Sequence, residues 1–116
     1  MFLLAQLTDP HIGADWGAGD PVARLAAAVE AVRSARVQPD AVLVSGDLTD
    51  HAADAEYEQA RSLLASLDVP SYVLPGNHDD RPGLRRHFEV GGNDGEPVQY
   101  AADLGPLRLV VLDTTR

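Results

Sequence analysis

The sequence predicts an α/β fold of order β-α-β-α-β, in which three parallel strands alternate with two helices and a β-hairpin follows. Two observations predict it: short apolar runs alternate with segments of helical periodicity, and two apolar runs near the end flank a Gly-Pro turn. Strands that alternate with helices are typical of parallel sheets, whose carboxyl ends share one edge. Because 116 residues match the size of one small domain, residues 1–116 are predicted to form a single domain.

The first strand and the first helix have clear local signals. Residues 2–7 form a short, nearly continuous apolar run, which predicts a strand buried on both faces. Asp20 and Pro21 then supply an N-cap and a favourable first helical position. The apolar residues that follow recur at spacings of three and four and predict an amphipathic helix: Val22, Leu25, Val29 and Val32.

The next elements continue the alternation. Residues 41–44 predict a second strand, residues 54–67 a second helix, and residues 71–74 a third strand that ends before Pro75 and Gly76. The second helix carries three acidic residues that are predicted to be exposed near its positive end: Asp54, Glu56 and Glu58. Finally, two segments around the Gly-Pro turn predict the hairpin: residues 98–103 and 107–113.

Composition excludes several functional classes. The net charge of −9 argues against binding to duplex nucleic acid, since that affinity comes largely from Lys and Arg. All nine basic residues are Arg, and the absence of Lys excludes Walker-type phosphate loops and Schiff-base enzymes. The absence of Cys excludes thiolate metal sites and disulfides. The apolar start is too short for a membrane span and has no basic leader, so we expect a cytoplasmic protein with no membrane partner.

Metal-binding types of side chain follow each of the three predicted strands. Asp9 and His11 follow the first strand, Asp47 the second and Asn77 the third. Ligands of open α/β sheets bind beyond the carboxyl ends of the strands. Carboxylate, imidazole and amide donors suit Mn, Fe, Zn or Mg, and one shared edge could hold two ions. Each residue alone is more often a turn or capping residue, but three successive strand ends of this kind favour a metal site.

Three short motifs resemble the calcineurin-like metallophosphoesterase superfamily: Asp9-x-His11, Gly46-Asp47-x-x-Asp50 and Gly76-Asn77-His78-Asp79. The third motif continues with Asp80-Arg81, which is most similar to bacterial class III cyclic-nucleotide phosphodiesterases and related glycerophosphodiesterases.

The resemblance implies a role for each matching residue. Asp9 and His11 would bind a first metal ion, Asp47 would bridge two ions, and Asn77 would bind the second. His78 and Asp50 would be the catalytic residues, with His78 facing the leaving group and Asp50 orienting it. The implied reaction is hydrolysis of phosphodiesters or cyclic nucleotides by a metal-bound hydroxide, and the implied cofactors are two divalent metal ions.

The family fold that the resemblance implies is a sandwich of two sheets, of which this chain would form the amino-terminal half. The family's later Gly-His and Gly-His-x-His motifs do not occur in these residues. We therefore expect activity to need the missing half or a partner. A half-sandwich would leave an apolar face uncovered, which predicts self-association.

Two alternatives to an enzyme remain open at this point. The missing downstream ligands favour a non-catalytic metal- or nucleotide-binding regulatory module. A receiver-like signalling domain also gathers carboxylates at strand ends, but such domains use a Lys, and the sequence has none.

Residues that flank the motifs give weaker signals. Trp16 could stack on a nucleobase, cover the site entrance or simply anchor its loop. His51 could lie next to the metal ligands without binding an ion itself, although a surface-loop position is the simpler interpretation. The arginines after the third motif could meet an anionic substrate, although an exposed helical face is the simpler interpretation: Arg81, Arg85 and Arg86.

Overall fold

The computed structural model describes residues 1–116 and contains the predicted alternation of strands and helices. Its elements are β1 (Leu4–Leu7), α1 (Pro21–Arg33), β2 (Ala41–Ser45), α2 (Asp54–Leu64), β3 (Ser71–Leu74), α3 (Arg81–His87), β4 (Tyr100–Leu104) and β5 (Leu107–Val111).

The first five elements form a parallel three-stranded sheet of order β1-β2-β3 with its connecting helices. Leu4 of β1 pairs with Ala41 of β2, and Ser45 of β2 pairs with Leu74 of β3. The two pairings align the carboxyl ends of all three strands. The predicted α/β fold class and its β-α-β-α-β order are therefore confirmed.

The central strand is β2, and this position corrects the prediction for β1. The prediction that the first strand is buried on both faces is wrong, because Leu4 and Gln6 are exposed. A strand at the sheet edge has only one neighbour, and β1 pairs with β2 alone. The continuously buried strand is instead β2, whose Ala41, Val42 and Val44 are buried.

The helix boundaries follow from capping. The Asp20 carboxylate accepts a hydrogen bond of 3.0 Å from the Val22 N–H, so α1 begins as predicted. The second helix ends at Leu64 and not at Leu67 as predicted, since the N–H groups of Ser66 and Leu67 bond three residues back, in tighter turns. No bounds for helix α3 were predicted from the sequence. This helix begins at Arg81, directly after its N-cap Asp80.

The hydrophobic core lies between the parallel sheet and the helices. Its most completely buried apolar side chains come from the strands, the helices and the loops that follow β1 and β2: Ile12, Val42, Val44, Leu48, Tyr57, Leu84 and Val98. Ile12 and Leu48 belong to the loops that carry the motifs. Because both side chains are buried in the core, they anchor those loops to it.

The predicted hairpin forms from the antiparallel strands β4 and β5. Tyr100 attaches it to the free edge of β3, because its hydroxyl donates to the Val73 carbonyl at 2.5 Å and accepts from the Val73 N–H at 3.1 Å. Burial raises the pKa of Tyr100 to about 12, so this double hydrogen bond persists across physiological pH. None of the helices combines the length and the apolar character needed to cross a membrane.

Candidate metal centre

The loops after β1 and β2 continue the parallel pairing beyond the strands themselves. The Asp9 N–H donates to the Gly46 carbonyl at 3.2 Å, and the His11 N–H donates to the Asp47 carbonyl at 2.9 Å. Ile12 then forms an isolated parallel bridge with Thr49. This extended pairing holds the first two motifs side by side at the sheet edge.

Three of the sequence-predicted ligands converge into one cluster. The Nε2 atom of His11 lies 3.4 Å from a carboxylate oxygen of Asp47 and 3.7 Å from one of Asp9. Each residue offers one ligand atom, and these atoms all lie within 4.8 Å of one another. One imidazole nitrogen and two carboxylates form a donor set that fits a divalent cation.

A second potential cluster shares His11 through its other ring nitrogen. The Nδ1 atom of His11 lies 3.0 Å from Asp50 Oδ1, and His78 completes this group. A ligating histidine usually gives its other nitrogen to a carboxylate, which fixes the ring. Asp50 has this relation to His11, so Nε2 is directed towards Asp9 and Asp47, and these two residues with His11 form the better metal site.

Asp50 is the centre of a hydrogen-bond network. The Trp16 indole N–H donates to both carboxylate oxygens of Asp50, at 3.1 and 3.2 Å, and its ring meets that of His11 edge to face at 5.0 Å. Burial acts to raise the pKa of Asp50, but hydrogen bonds from His11 and Trp16 and the nearby His51 and His78 together lower it. Asp50 is thus held as a carboxylate.

His78 stands at the junction of the second and third motifs. Its backbone N–H donates to Asp47 Oδ1 at 2.9 Å. Its Nδ1 lies 2.9 Å from the Asp50 carbonyl and 3.4 Å from the Asp50 carboxylate. The nearer partner is therefore the backbone of Asp50, while the carboxylate lies closer to His11. The hydrogen bond to that carbonyl, followed by the charges of Asp47 and Asp50, outweighs desolvation and raises the pKa of His78.

Asn77 lies at the same edge, on the exposed side of the loop after β3. It stands between His78 and Gly76, and both of these neighbours contact Asp47. A Cβ atom at Gly76 would lie 2.1 Å from Asp47 Oδ1, so glycine is required for this close approach. Asn77 also borders a polar cavity of about 570 Å³ between the third motif and the end of the chain.

The backbone of the site is strained at the residues that carry the ligands. Asp9, His11 and Asp47 have φ angles of 55°, 48° and 48°, in the left-handed region. Such conformations are sparsely populated and concentrate at functional sites. Asp and His adopt this region several times more often than most other non-glycine residues.

Asp79 joins two of the motif loops, a contact that the sequence did not predict. Its carboxylate accepts hydrogen bonds from the N–H groups of Leu48, Thr49 and Gly76 at 2.9 to 3.1 Å, and from the Thr49 hydroxyl at 2.9 Å. These bonds join the loop that carries Asp47 to the loop that carries Asn77 and His78. The only signal in the sequence was a carboxylate in the third motif, because its partners Leu48 and Thr49 lie about 30 residues earlier.

Two predictions for charged residues near the site are corrected. Arg81 does not lie on an exposed helical face, since its guanidinium pairs at 2.8 Å with the buried Asp113. Arg85 is half-buried and donates to the carbonyls of Gly91 and Pro97. Of the three arginines in α3, only Arg86 is exposed, as predicted.

The prediction of an exposed acidic face on α2 is also wrong in part. Asp54 and Glu58 are exposed, but Glu56 is buried, with only 9% of its surface accessible. His51 lies on a surface loop as predicted and contacts this carboxylate at 2.8 Å.

Comparison with known proteins agrees with this geometry. The calcineurin-like phosphoesterase family model matches residues 2–113. The chain is 35% identical over 121 residues to the glycerophosphodiester phosphodiesterase GpdQ of Enterobacter lignolyticus, covering 97% of this chain and 44% of that protein. It is 33% identical over 122 residues to a cAMP/cGMP dual specificity phosphodiesterase of Mycobacterium tuberculosis, covering 98% and 38%.

A third relative is the 3',5'-cyclic adenosine monophosphate phosphodiesterase CpdA of Pseudomonas aeruginosa, at 36% identity over 119 residues, covering 97% of this chain and 42% of that protein. The chain thus spans less than half the length of these curated relatives. The fold, a parallel sheet with an antiparallel hairpin, corresponds to half of a metallophosphoesterase fold. Motifs, site geometry and sequence similarity all lead to one conclusion: the chain belongs to the calcineurin-like phosphoesterase family.

Proposed function

We propose that the protein is a metal-dependent phosphohydrolase that cleaves phosphodiesters, with cyclic nucleotides among the candidate substrates. One observation carries most weight: Nε2 of His11 faces Asp9 and Asp47 while its Nδ1 is held by Asp50. A histidine fixed in this way is prepared for metal binding before any ion arrives. The relatives described above are named as phosphodiesterases, which supports the choice of substrate class.

We assign two divalent ions to the site, from among Mn, Fe, Zn and Mg. Asp9, His11 and Asp47 would hold the first, and Asp47 and Asn77 would contribute to the second. Asp47 suits a bridging position because a carboxylate has two oxygens to share. When bound, such ions lower the pKa of water and offset the charge of a phosphoryl group.

His78 and Asp50 are the groups that we assign to proton transfer and orientation. The hydrogen bond from Nδ1 of His78 to the Asp50 carbonyl leaves Nε2 available to a departing oxygen. The raised pKa of His78 favours its protonated form, as a general acid requires. Asp50 keeps the His11 ring in place and adds negative charge near His78.

In an active assembly, which we expect to need the missing half or a partner, His78→Gln should lower the Mn²⁺-dependent hydrolysis of an aryl phosphodiester by at least about 100-fold, because general acid catalysis contributes effects of this size. Manganese uptake by calorimetry should stay unchanged, since His78 is not an assigned ligand. His87→Gln is the matched control, because the His87 ring pairs with Asp54 and stacks on Tyr57 and meets none of the residues assigned to the site. Turnover by His78→Gln equal to the wild type would reject the assigned role.

A second candidate function is a non-catalytic metal- or nucleotide-binding regulatory module. It is favoured by the small donor set for a second ion, which in this chain consists of Asp47 and Asn77. The stoichiometry of Mn²⁺ binding separates the candidates. Two ions per chain support the enzyme, whereas one ion or none, with no hydrolysis by the 116-residue chain or its assemblies, supports the module.

We also propose that the 116-residue chain self-associates in the cytoplasm through the outer face of the hairpin. Val110 in β5 and Leu112, the residue after that strand, are each more than half exposed. Two large aliphatic side chains beside each other favour burial against a second copy.

We expect the wild-type chain to show concentration-dependent dimers by light scattering, and Val110→Asp to shift it to monomers because a charge would have to be buried. Ala27→Asp, on the exposed side of α1, introduces the same charge elsewhere and should leave association unchanged. A monodisperse wild-type monomer at high concentration would contradict the self-association.

A further inference from the structure

The buried carboxylate of Glu56 is an unexpected feature next to the metal site. It lies in the first turn of α2, where its neighbours Asp54 and Glu58 point to solvent. Burying an ionisable side chain is costly unless it is paired or hydrogen-bonded. Its surroundings therefore indicate what it does.

Glu56 binds one residue, His51, with both of its oxygens. Oε1 accepts the backbone N–H of His51 at 2.8 Å, and Oε2 lies 2.8 Å from the Nδ1 atom of the same residue. The backbone and the ring of His51 are thus both fixed. This leaves Nε2 of His51 pointing at Asp50, 3.4 Å from Oδ2.

Glu56 also contacts the loop after β1. A Cβ atom at Gly13 would lie 1.7 Å from Glu56 Oε2, and Gly13 has a φ angle of +96°. Only glycine allows the carboxylate to occupy this space without a clash. The Glu56 side chain is therefore inserted between the loop that carries His11 and the loop that carries Asp47 and Asp50.

These contacts form a continuous chain that ends at the metal ligands. Glu56 holds His51, His51 faces Asp50, and Asp50 contacts Nδ1 of His11. Trp16 reports on the same junction, because its indole N–H donates to Asp50.

We infer that Glu56 is a positioning residue of the metal site. This inference rests on the metal site proposed above. Glu56 touches no ligand itself and acts through His51, which in turn supports Asp50. Residues that orient metal ligands typically change metal affinity by about 10- to 100-fold when they are replaced. Glu56 is two contacts away from His11, so we expect its removal to have an effect near the lower limit.

The test compares Glu56→Ala with Glu58→Ala, which removes the same group from an exposed position on the same helix. The first readout is the indole N–H signal of Trp16 by NMR without metal, which is unambiguous because the sequence has a single Trp. The second is the affinity for Mn²⁺ by calorimetry. Glu56→Gln keeps the shape and one acceptor oxygen and serves as the conservative variant.

We expect Glu56→Ala to shift the indole signal, to speed its exchange with solvent and to weaken Mn²⁺ binding by about 10-fold. Glu58→Ala should change none of these, and Glu56→Gln should retain most of the wild-type behaviour. A folded Glu56→Ala protein with lower stability, but with wild-type indole signal and Mn²⁺ affinity, would overturn the positioning role.

The two readouts separate this role from the proposed function. If the wild-type chain takes up no Mn²⁺, the proposed function fails, and the metal-free indole signal still decides whether Glu56 positions Asp50. If Mn²⁺ binds normally and the indole signal of Glu56→Ala is unchanged, only the role of Glu56 fails. Should Glu56→Ala not fold, His51→Ala takes its place: it removes the exposed ring through which Glu56 reaches Asp50 and should give the same indole shift and loss of Mn²⁺ affinity, whereas wild-type values would overturn the role.

Discussion

We expect Asp47→Asn to lower the affinity of the chain for Mn²⁺ by more than about 100-fold, which exceeds the loss typical of residues that only orient ligands. The substitution removes the charge and one of the two acceptor oxygens that a bridging ligand needs. It keeps an amide oxygen that can still accept the His78 N–H, so the fold around the third motif should persist. The measurement is calorimetric titration with Mn²⁺, compared with circular dichroism of the same samples.

Asp68→Asn is the matched control for charge. Asp68 is exposed in the turn that follows α2, and β3 separates it from the third motif. Both substitutions change the net charge of −9 by one unit, so a general electrostatic effect on cation binding would appear in both. Equal affinities for Asp47→Asn and the wild type would remove Asp47 from the ligand set.

The largest expected loss of stability comes from Asp113→Ala, which should lower the free energy of unfolding by about 3 kcal/mol. The Asp113 side chain is fully buried and accepts from the N–H groups of Val98 and Thr115 at 2.8 Å, as well as from Arg81. Removing it leaves those donors without a partner. We place the value at the low end of the range for buried pairs because Arg81 keeps a fifth of its side chain exposed.

The hairpin offers a matched ion pair in the opposite environment. Arg108 and Asp103 lie 2.7 Å apart, close to the 2.8 Å between Arg81 and Asp113, but both side chains are about two-thirds exposed. Exposed pairs contribute at most about 1 kcal/mol. In urea unfolding, Asp113→Ala should therefore lose much more free energy of unfolding than Asp103→Ala. Equal losses of unfolding free energy would show that the buried pair stabilises the fold no more than the exposed pair does.

The same residue gives the fold a defined acid sensitivity. Burial acts to raise the pKa of Asp113, but the hydrogen bonds from Thr115, Val98 and Arg81 outweigh it and lower the pKa to about 2, from 3.8. A lowered folded-state pKa stabilises the protein above pH 3.8, and this stabilisation is lost as the pH falls through 2. Asp113→Asn should show a smaller decrease in stability between pH 4 and pH 2.

The sequence predicted those features that depend on local patterns. Asp20 with Pro21 marks the start of α1, and Pro75 with Gly76 marks the end of β3, because capping and strand termination involve neighbouring residues. The strand ends could be assigned to one edge because alternating strands and helices imply a parallel sheet. Asp9, His11 and Asp47 follow from that topology.

Features that depend on distant contacts were not predictable. The edge position of β1 follows from the order of strands in the sheet, which no local pattern records. Glu56 resembles its exposed neighbours in sequence, and only the fold brings it to Gly13, 43 residues earlier. Asp113 and Arg81 are separated by 32 residues, so their pairing could not be distinguished from two exposed charges.

Anomalous diffraction from crystals of the chain grown with Mn²⁺ tests the metal site most directly. We expect one peak at ligand distance from His11 Nε2, Asp9 and Asp47, and a second beside Asp47 and Asn77. A single peak between His11 Nδ1, Asp50 and His78, or no bound manganese at all, would contradict the assignment of these four residues as the metal ligands.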